Sequence, residues 1–444
     1  MIDSAEGDSL RAVAWRRRRP PVMRSARVVQ VVALVLAAAG SFDGSAAPVA
    51  FADSPTCDPS VPTTCTLADL ARELGIRIGA TLEDFEVADP HYTTTLRREF
   101  TSLTPENALK AYSTQPSRGD WQFTGADAVV DFADEAGLTV RGHTLVWAKD
   151  EFTPSWITSI ADPVELGQVT EELVAEVMGR YAGRIPRWDV VNEPLDTLGT
   201  GPSESVFWSL GPDWIGDMFR LARSIDPAAE LWINEYGTDW VPGKHEAYLA
   251  LVRQLVAAGV PIDGVGIQTH RLPGLELQRS TFERQLRDFT ELGLDVAITE
   301  LDVPVSPTDP VALARQAAEY RKIVASCLAV EGCTEVTVWG LSDRDTWLDS
   351  LGTFPTPTRP LLFDGEYQPK PAYEAVRELM AYAVLNGSLP PTGDPSGTVV
   401  GLATMLLVLG LAMRVVASRD RRPPYVPPLV RNSLLGDAAP SEAC

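Results

Sequence analysis

Eight short runs rich in apolar and β-branched residues, most closing on polar residues and spaced out by helical sequence, constrain this chain more than any other feature. They fall at 77–82, 100–106, 139–147, 187–193, 230–237, 264–270, 295–303 and 335–343. A strand covered on both faces reads as a near-continuous apolar run rather than a strict alternation. Between the runs, segments 164–181, 214–224, 245–258 and 310–328 carry apolar residues at helical spacing. Strands alternating with helices in this number predict the α/β class and a single (β/α)8 TIM barrel. A doubly wound open sheet is the alternative, but no glycine-rich phosphate loop follows the first run.

In a barrel, the C-terminal ends of the strands converge on one mouth. The residues expected there are Glu106, Asn107, His143, Trp147, Asn192, Glu193, Tyr236, Gln268, His270, Glu300, Asp302, Trp339 and Asp343. Indoles stack on sugar rings, while amides and carboxylates bond hydroxyls, so the set reads as a carbohydrate site. The four histidines show no metal-ligand spacing, and neither a metal nor a cofactor is expected. Two acids among 60 carry little weight by themselves, and acids at strand ends also cap helices. Glu193 and Glu300 gain weight from their company: an amide precedes Glu193, and His270 and Asp302 belong to the set around Glu300. Retaining glycoside hydrolysis needs such a pair, one carboxylate to attack and one acid to protonate the leaving oxygen.

Eight motifs then occur in order: Leu103-Thr104-Pro105-Glu106-Asn107, Arg141-Gly142-His143-Thr144-Leu145-Val146-Trp147, Trp188-Asp189-Val190-Val191-Asn192-Glu193, Gly266-Ile267-Gln268-Thr269-His270, Ile298-Thr299-Glu300-Leu301-Asp302, Val338-Trp339-Gly340, Leu361-Leu362-Phe363-Asp364 and Lys370-Pro371-Ala372-Tyr373. On these, residues 69–380 resemble glycoside hydrolase family 10, the retaining endo-β-1,4-xylanases. The resemblance implies Glu193 as acid/base and Glu300 as nucleophile. It implies that Asn192 meets the sugar 2-hydroxyl, that His270 bonds Glu300, and that Asp302 orients His270. Gln268 and Tyr236 would support the scissile bond. Glu106, Asn107 and Lys110 would bind the non-reducing-side sugars. His143 and Trp147 would wall the inner donor side, and Trp339 and Trp347 would stack on sugars. The implied substrate is xylan or a related β-1,4-glycan, and a monomer is expected.

The chain departs from the family pattern in places. Ala148 stands where a histidine is usual, and 149–153 appears two residues longer. Ala108-Leu109-Lys110-Ala111 and Asn234-Glu235-Tyr236-Gly237 differ from the usual runs. These changes are expected around the donor subsites, leaving cleavage intact but altering donor-side preference or reducing the rate. Two further readings stay open: a related β-1,4-glycan hydrolase with shifted specificity, or a surface glycan-binding protein with a decayed site.

The ends of the chain carry addresses. Arg16 to Arg19, an apolar stretch and Ala50-Phe51-Ala52 follow the order of a secretory signal, assigned to 1–52, with 53–68 as an N-terminal segment before a barrel at 69–382. Leu389-Pro390-Pro391-Thr392-Gly393 lies in a linker at 383–396; an apolar segment at 397–417 and an arginine- and proline-rich tail at 418–444 follow. The order resembles a sortase sorting signal of Gram-positive surface proteins, which implies cleavage after Thr392 and attachment of Thr392 to peptidoglycan. The alternative is a retained transmembrane helix with a cytoplasmic tail. Either way the enzyme is expected outside the cell, anchored to wall or membrane. Cysteine usage agrees: Cys57 with Cys65, and Cys327 with Cys333, suggest two short disulfide loops. The net charge of −22 excludes a nucleic-acid partner. Without 1–52 and 393–444, the remainder holds 26 basic and 52 acidic residues, a net of −26.

Overall fold

The computed structural model describes residues 57–390, apart from 306–308, 352–353 and 355. The signal at 1–52, Thr392, the segment at 397–417 and the tail at 418–444 lie outside the described residues. No helix among the described residues is long and apolar enough to cross a membrane.

Nine parallel strands make the barrel wall: β1 (Arg77–Leu82), β2 (Ser102–Pro105), β3 (Thr139–Gly142), β4 (Val146–Trp147), β5 (Arg187–Asn192), β6 (Glu230–Glu235), β7 (Gly264–Ile267), β8 (Asp295–Leu301) and β9 (Cys333–Val338). Their order is β3-β2-β1-β9-β8-β7-β6-β5-β4, and β3 also pairs with β5, which closes the ring. β3 and β4 are one barrel position interrupted at 143–145, since both pair with β5. The wall is therefore the expected eight-stranded parallel barrel with helices around it. Long helices such as Pro163–Arg180 and Pro310–Leu328 begin with proline at the first turn behind an Asp cap, Asp162 and Asp309.

Most strands start where the sequence predicts, and most end one to five residues early. Asn192 and Glu300 lie within β5 and β8, whereas Glu106, Glu193, His270, Asp302 and Asp343 lie beyond the strand ends. Glu193 and Thr269 hold left-handed backbone, φ 56° and 60°, just past the ends of β5 and β7, and an isolated parallel bridge between His270 and Asp302 follows. Two bulges aim side chains inward. Between Asp189 and Val191, β5 has an extra residue against β6. Between Ile298 and Leu301, β8 sets Thr299 and Glu300 against the single Thr337 of β9. Consecutive residues thus both reach the interior.

The interior below the mouth is ionic. Arg141 pairs with Asp189 at 2.5 Å and with Glu335 at 3.3 Å, and Arg187 pairs with Glu335 and, at 2.6 Å, with Glu230. Both guanidinium groups lie 4.7 Å from the Trp232 ring. Gly264 makes room for that indole, because a Cβ there would come within 2.6 Å of it. Both suggested disulfides are present, Cys57–Cys65 and Cys327–Cys333. The second joins the end of helix Pro310–Leu328 to the start of β9.

Candidate active site

The bulge in β8 delivers Glu300 to a layer of amides. Its Oε1 accepts from Asn234 Nδ2 at 2.7 Å, and its Oε2 lies 3.1 Å from His270 Nε2. His270 Nδ1 is 2.8 Å from Asp302 Oδ2, and Trp347 Nε1 donates to the same oxygen at 2.9 Å. Burial alone would lower His270, but Asp302 and Glu300 outweigh it and push it up to about 10. At neutral pH the ring is therefore an imidazolium between two carboxylates. Burial works to raise Glu300, yet the His270 hydrogen bond and the nearby His143 and Lys110 hold it below the ordinary value. Glu300 is built to stay ionised.

Glu193 has different neighbours. Its Oε1 accepts from Gln268 Nε2 at 2.9 Å and Asn192 Nδ2 at 3.2 Å. Asn192 Oδ1 in turn accepts from Asn234 Nδ2 at 2.9 Å. A chain of neutral amides thus connects the two carboxylates, while only Glu300 touches a cation. Both are nearly buried, 8% exposed for Glu193 and 5% for Glu300, so water is largely excluded before any ligand arrives.

A second group lies beyond Glu300. Glu106 accepts from Thr81 Oγ1 at 2.9 Å; burial and the Glu83 carboxylate push it up to about 7. Asn107 donates to Glu83, and its Oδ1 accepts from Lys110 Nζ at 3.0 Å and Tyr112 Oη at 2.5 Å. Lys110 sits 4.6 Å from the Trp147 ring and 5.7 Å from that of Trp339. Burial lowers Lys110, partly offset by the carboxylates around it. This is a polar, partly open cluster of donors and acceptors suited to sugar hydroxyls.

Several expected residues have protein partners that the sequence did not show. His143 is 2% exposed; it bonds Asp189 at 3.0 Å and meets Trp339 edge-on at 5.2 Å. Trp347 fastens Asp302 as well as facing His270 at 4.8 Å. Asp343 is engaged by Lys370 at 2.7 Å and by Leu361 N–H. The segment at 149–153 turns toward the loop after Glu193: Asp150 Oδ1 accepts from Val206 N at 2.8 Å, and Lys149 reaches Leu195 and Tyr236. The same segment also stacks Phe152 on Trp147 at 4.0 Å, so it touches both the loop after Glu193 and the wall expected on the donor side. Sequence reasoning missed Asn234 as the partner of Glu300. It also missed the buried pair Glu235–Lys244 at 3.0 Å, whose carboxylate accepts from Leu195 N at 3.0 Å. The signal for Asn234 is its register opposite Asn192, which requires the strand pairing to be known.

A barrel mouth holding one carboxylate in an ionic relay and a second among amides has the parts of a double-displacement glycoside hydrolase. The chain belongs to that class through a specific family: the model described as Glycosyl hydrolase family 10 matches residues 66–379. Endo-1,4-beta-xylanase C of Phanerodontia chrysosporium is 33% identical over 325 residues, covering 71% of this chain and 79% of that protein. Endo-1,4-beta-xylanase 3 of Hypocrea jecorina is 37% identical over 282 residues, covering 63% and 76%. Among solved structures, native xylanase 10B from Thermotoga maritima is similar at a TM-score of 0.68 and 36% identity, covering 72% of this chain and 99% of that one. Xylanase 10B from Thermotoga petrophila in complex with xylobiose gives 0.67 and 36%, covering 72% and 98%.

Proposed function

We propose that this chain is an endo-1,4-β-xylanase that cleaves internal bonds of xylan with retention, with Glu300 as nucleophile and Glu193 as acid/base. The observation that carries the assignment is the electrostatic contrast between the two: Glu300 faces the His270 imidazolium, and Glu193 faces neutral amides. In the first step a Glu300 oxygen bonds the anomeric carbon as the glycosidic C–O bond breaks, and the Glu193 proton goes to the departing oxygen. Glycosylation removes the Glu300 charge. In the second step Glu193, now a carboxylate, takes a proton from water as that water attacks the anomeric carbon, and Glu300 leaves as carboxylate. Asn192, which donates to Glu193 directly and is joined to Glu300 through Asn234, is the residue assigned to the sugar 2-hydroxyl. Glu106, Asn107 and Lys110 are assigned to the non-reducing side, and Trp147 and Trp339 to its walls. The relatives named endo-1,4-beta-xylanase support xylan as substrate.

Reducing-sugar release from xylan tests the reading. Wild type releases sugar; Glu300→Ala releases none but still binds xylooligosaccharide. Glu193→Ala loses about 10²–10⁴-fold in kcat on xylan and far less on an activated aryl glycoside, whose leaving group needs no proton. A wild type that binds xylan without cleaving it would leave only the glycan-binding reading.

For location, we infer export and wall attachment through Thr392, supported by the ordered signals at both ends and by the two disulfides. Mass spectrometry of wall-extracted protein is expected to read Thr392 as the last residue of the mature chain. A C-terminus beyond Gly393 counts against sortase processing.

A further inference from the structure

Three lysines stand around the site, and their partners differ. Lys244 is buried against Glu235 at 3.0 Å. Lys110 lies within the field of Glu300, Glu106, Glu83 and Glu193. Lys149 has no carboxylate within ion-pair distance among the described residues. Its ammonium donates only to Leu195 O at 3.3 Å and Tyr236 Oη at 3.5 Å, and lies 5.2 Å from the Tyr236 ring. An ammonium has three donors, so two long bonds leave capacity for a stronger acceptor. Those two partners place it on one side of the cleft. Leu195 follows Glu193 by two residues, and Tyr236 bonds Thr197 of the same loop at 2.9 Å. On the proposed mechanism the acid/base protonates the leaving oxygen, and this loop is therefore assigned to the side of the departing sugar.

The backbone presents Lys149 from a fixed turn. Lys149 O accepts from Phe152 N at 3.2 Å and from Thr153 Oγ1 at 2.8 Å, and Asp150 N donates to Glu204 O at 3.1 Å. Phe152 stacks on Trp147 at 4.0 Å, closing the turn against the mouth. The chain between the two addresses carries a net charge of −26, a field that repels anions at long range. An unpaired, half-buried cation beside the catalytic acid is a local reversal of that field.

We propose that Lys149 is a specificity-determining residue that receives a carboxylate on the leaving-group sugar, making this enzyme selective for β-1,4-glycans bearing uronic-acid substituents. The inference rests on the xylanase reading and deepens it. The test compares kcat/KM of the full chain on a glucuronic-acid-substituted xylooligosaccharide and on the same oligosaccharide with its carboxyl reduced to the alcohol. Wild type is expected to favour the acid form by about 3- to 10-fold at low salt, the range of a single charge-assisted contact, and less at high salt. Lys149→Met brings the ratio close to one, and Lys149→Arg keeps it. An unchanged ratio in Lys149→Met overturns the proposal. So does an equal loss on both substrates, which would mean that the side chain only braces Leu195 and Tyr236. If wild type cleaves neither oligosaccharide, the xylanase reading falls and takes this one with it. Cleavage of both at equal rates overturns only the role of Lys149.

Discussion

Asn234 shows how far single residues depend on their neighbours here. Its Nδ2 donates to both Glu300 and Asn192, and its Oδ1 accepts from Thr299 Oγ1 at 2.7 Å. That orientation exists because position 266 is glycine: a Cβ there would stand 2.2 Å from Asn234 Oδ1. Gly266→Ala is therefore expected to turn Asn234 away from Glu300. A lost hydrogen bond to a charged group corresponds to about 1.5–3 kcal/mol, or roughly 10- to 150-fold in kcat if the bond acts in the transition state. The overpacking itself is expected to cost about 1–3 kcal/mol of stability. Steady-state kinetics beside denaturant melts check both; a variant with full kcat would show that Asn234 finds its place without this glycine. The two glutamates were legible in the sequence because they sit in contiguous motifs. Asn234 was not, because its meaning comes from lying opposite Asn192 and Gly266 on neighbouring strands.

At the level of elements, the number, order and starting points of the strands follow from apolar runs, and these were legible. Their ends were not. The sequence places Glu193, His270 and Asp302 inside strands, whereas β5, β7 and β8 end at Asn192, Ile267 and Leu301. The cause is that side-chain polarity reports what faces the mouth, not where backbone pairing stops. The bulges were also hidden, since an extra residue leaves no compositional mark. Yet the bulge in β8 is what lets Thr299 and Glu300 share one layer, so that strand irregularity and catalysis have the same origin. The segment at 149–153 escaped for a similar reason. Its extra length is visible in the sequence, but its bonds to 204–206 and its stacking on Trp147 are not.

The whole molecule balances two sets of buried charges with opposite pH dependence. Burial works against the charged forms of Asp189 and Glu335, but Arg141 with His143 holds Asp189, and Arg187 with Arg141 holds Glu335, below the ordinary value. With Glu300, these groups stabilise the fold at pH values above the ordinary carboxylate range, and that stability is lost as pH falls through their depressed pKa values. The second set runs the other way. Burial, only partly countered by the Glu83 N–H bond, pushes Glu86 up to about 8. Burial likewise pushes Glu106 and Glu235 each up to about 7. In the unfolded chain these acids ionise near the ordinary 4.5, so folding takes up protons at higher pH and stability falls as pH rises from there to about 8. His270, raised to about 10, adds stability that is full below its unfolded value and is lost as pH climbs through 10. The stability maximum is therefore expected in mildly acid solution, near the crossover of the two sets. Glu86 is the clearest member of the second set to test, because it is 5% exposed, accepts from Glu83 N–H at 2.8 Å, and has no hydrogen bond to Glu193 or Glu300 among the described residues. Glu86→Gln keeps the acceptor for Glu83 N–H and removes the ionisation. One pKa unit corresponds to about 1.4 kcal/mol, so the shift from 4.5 to about 8 means that the substitution is expected to return up to about 4 kcal/mol at pH 8 and less than about 1 kcal/mol at pH 5. Urea midpoints of wild type and variant at the two pH values decide it. An equal shift at both would mean that Glu86 acts through packing, and the proton uptake would have to be sought at Glu106 and Glu235.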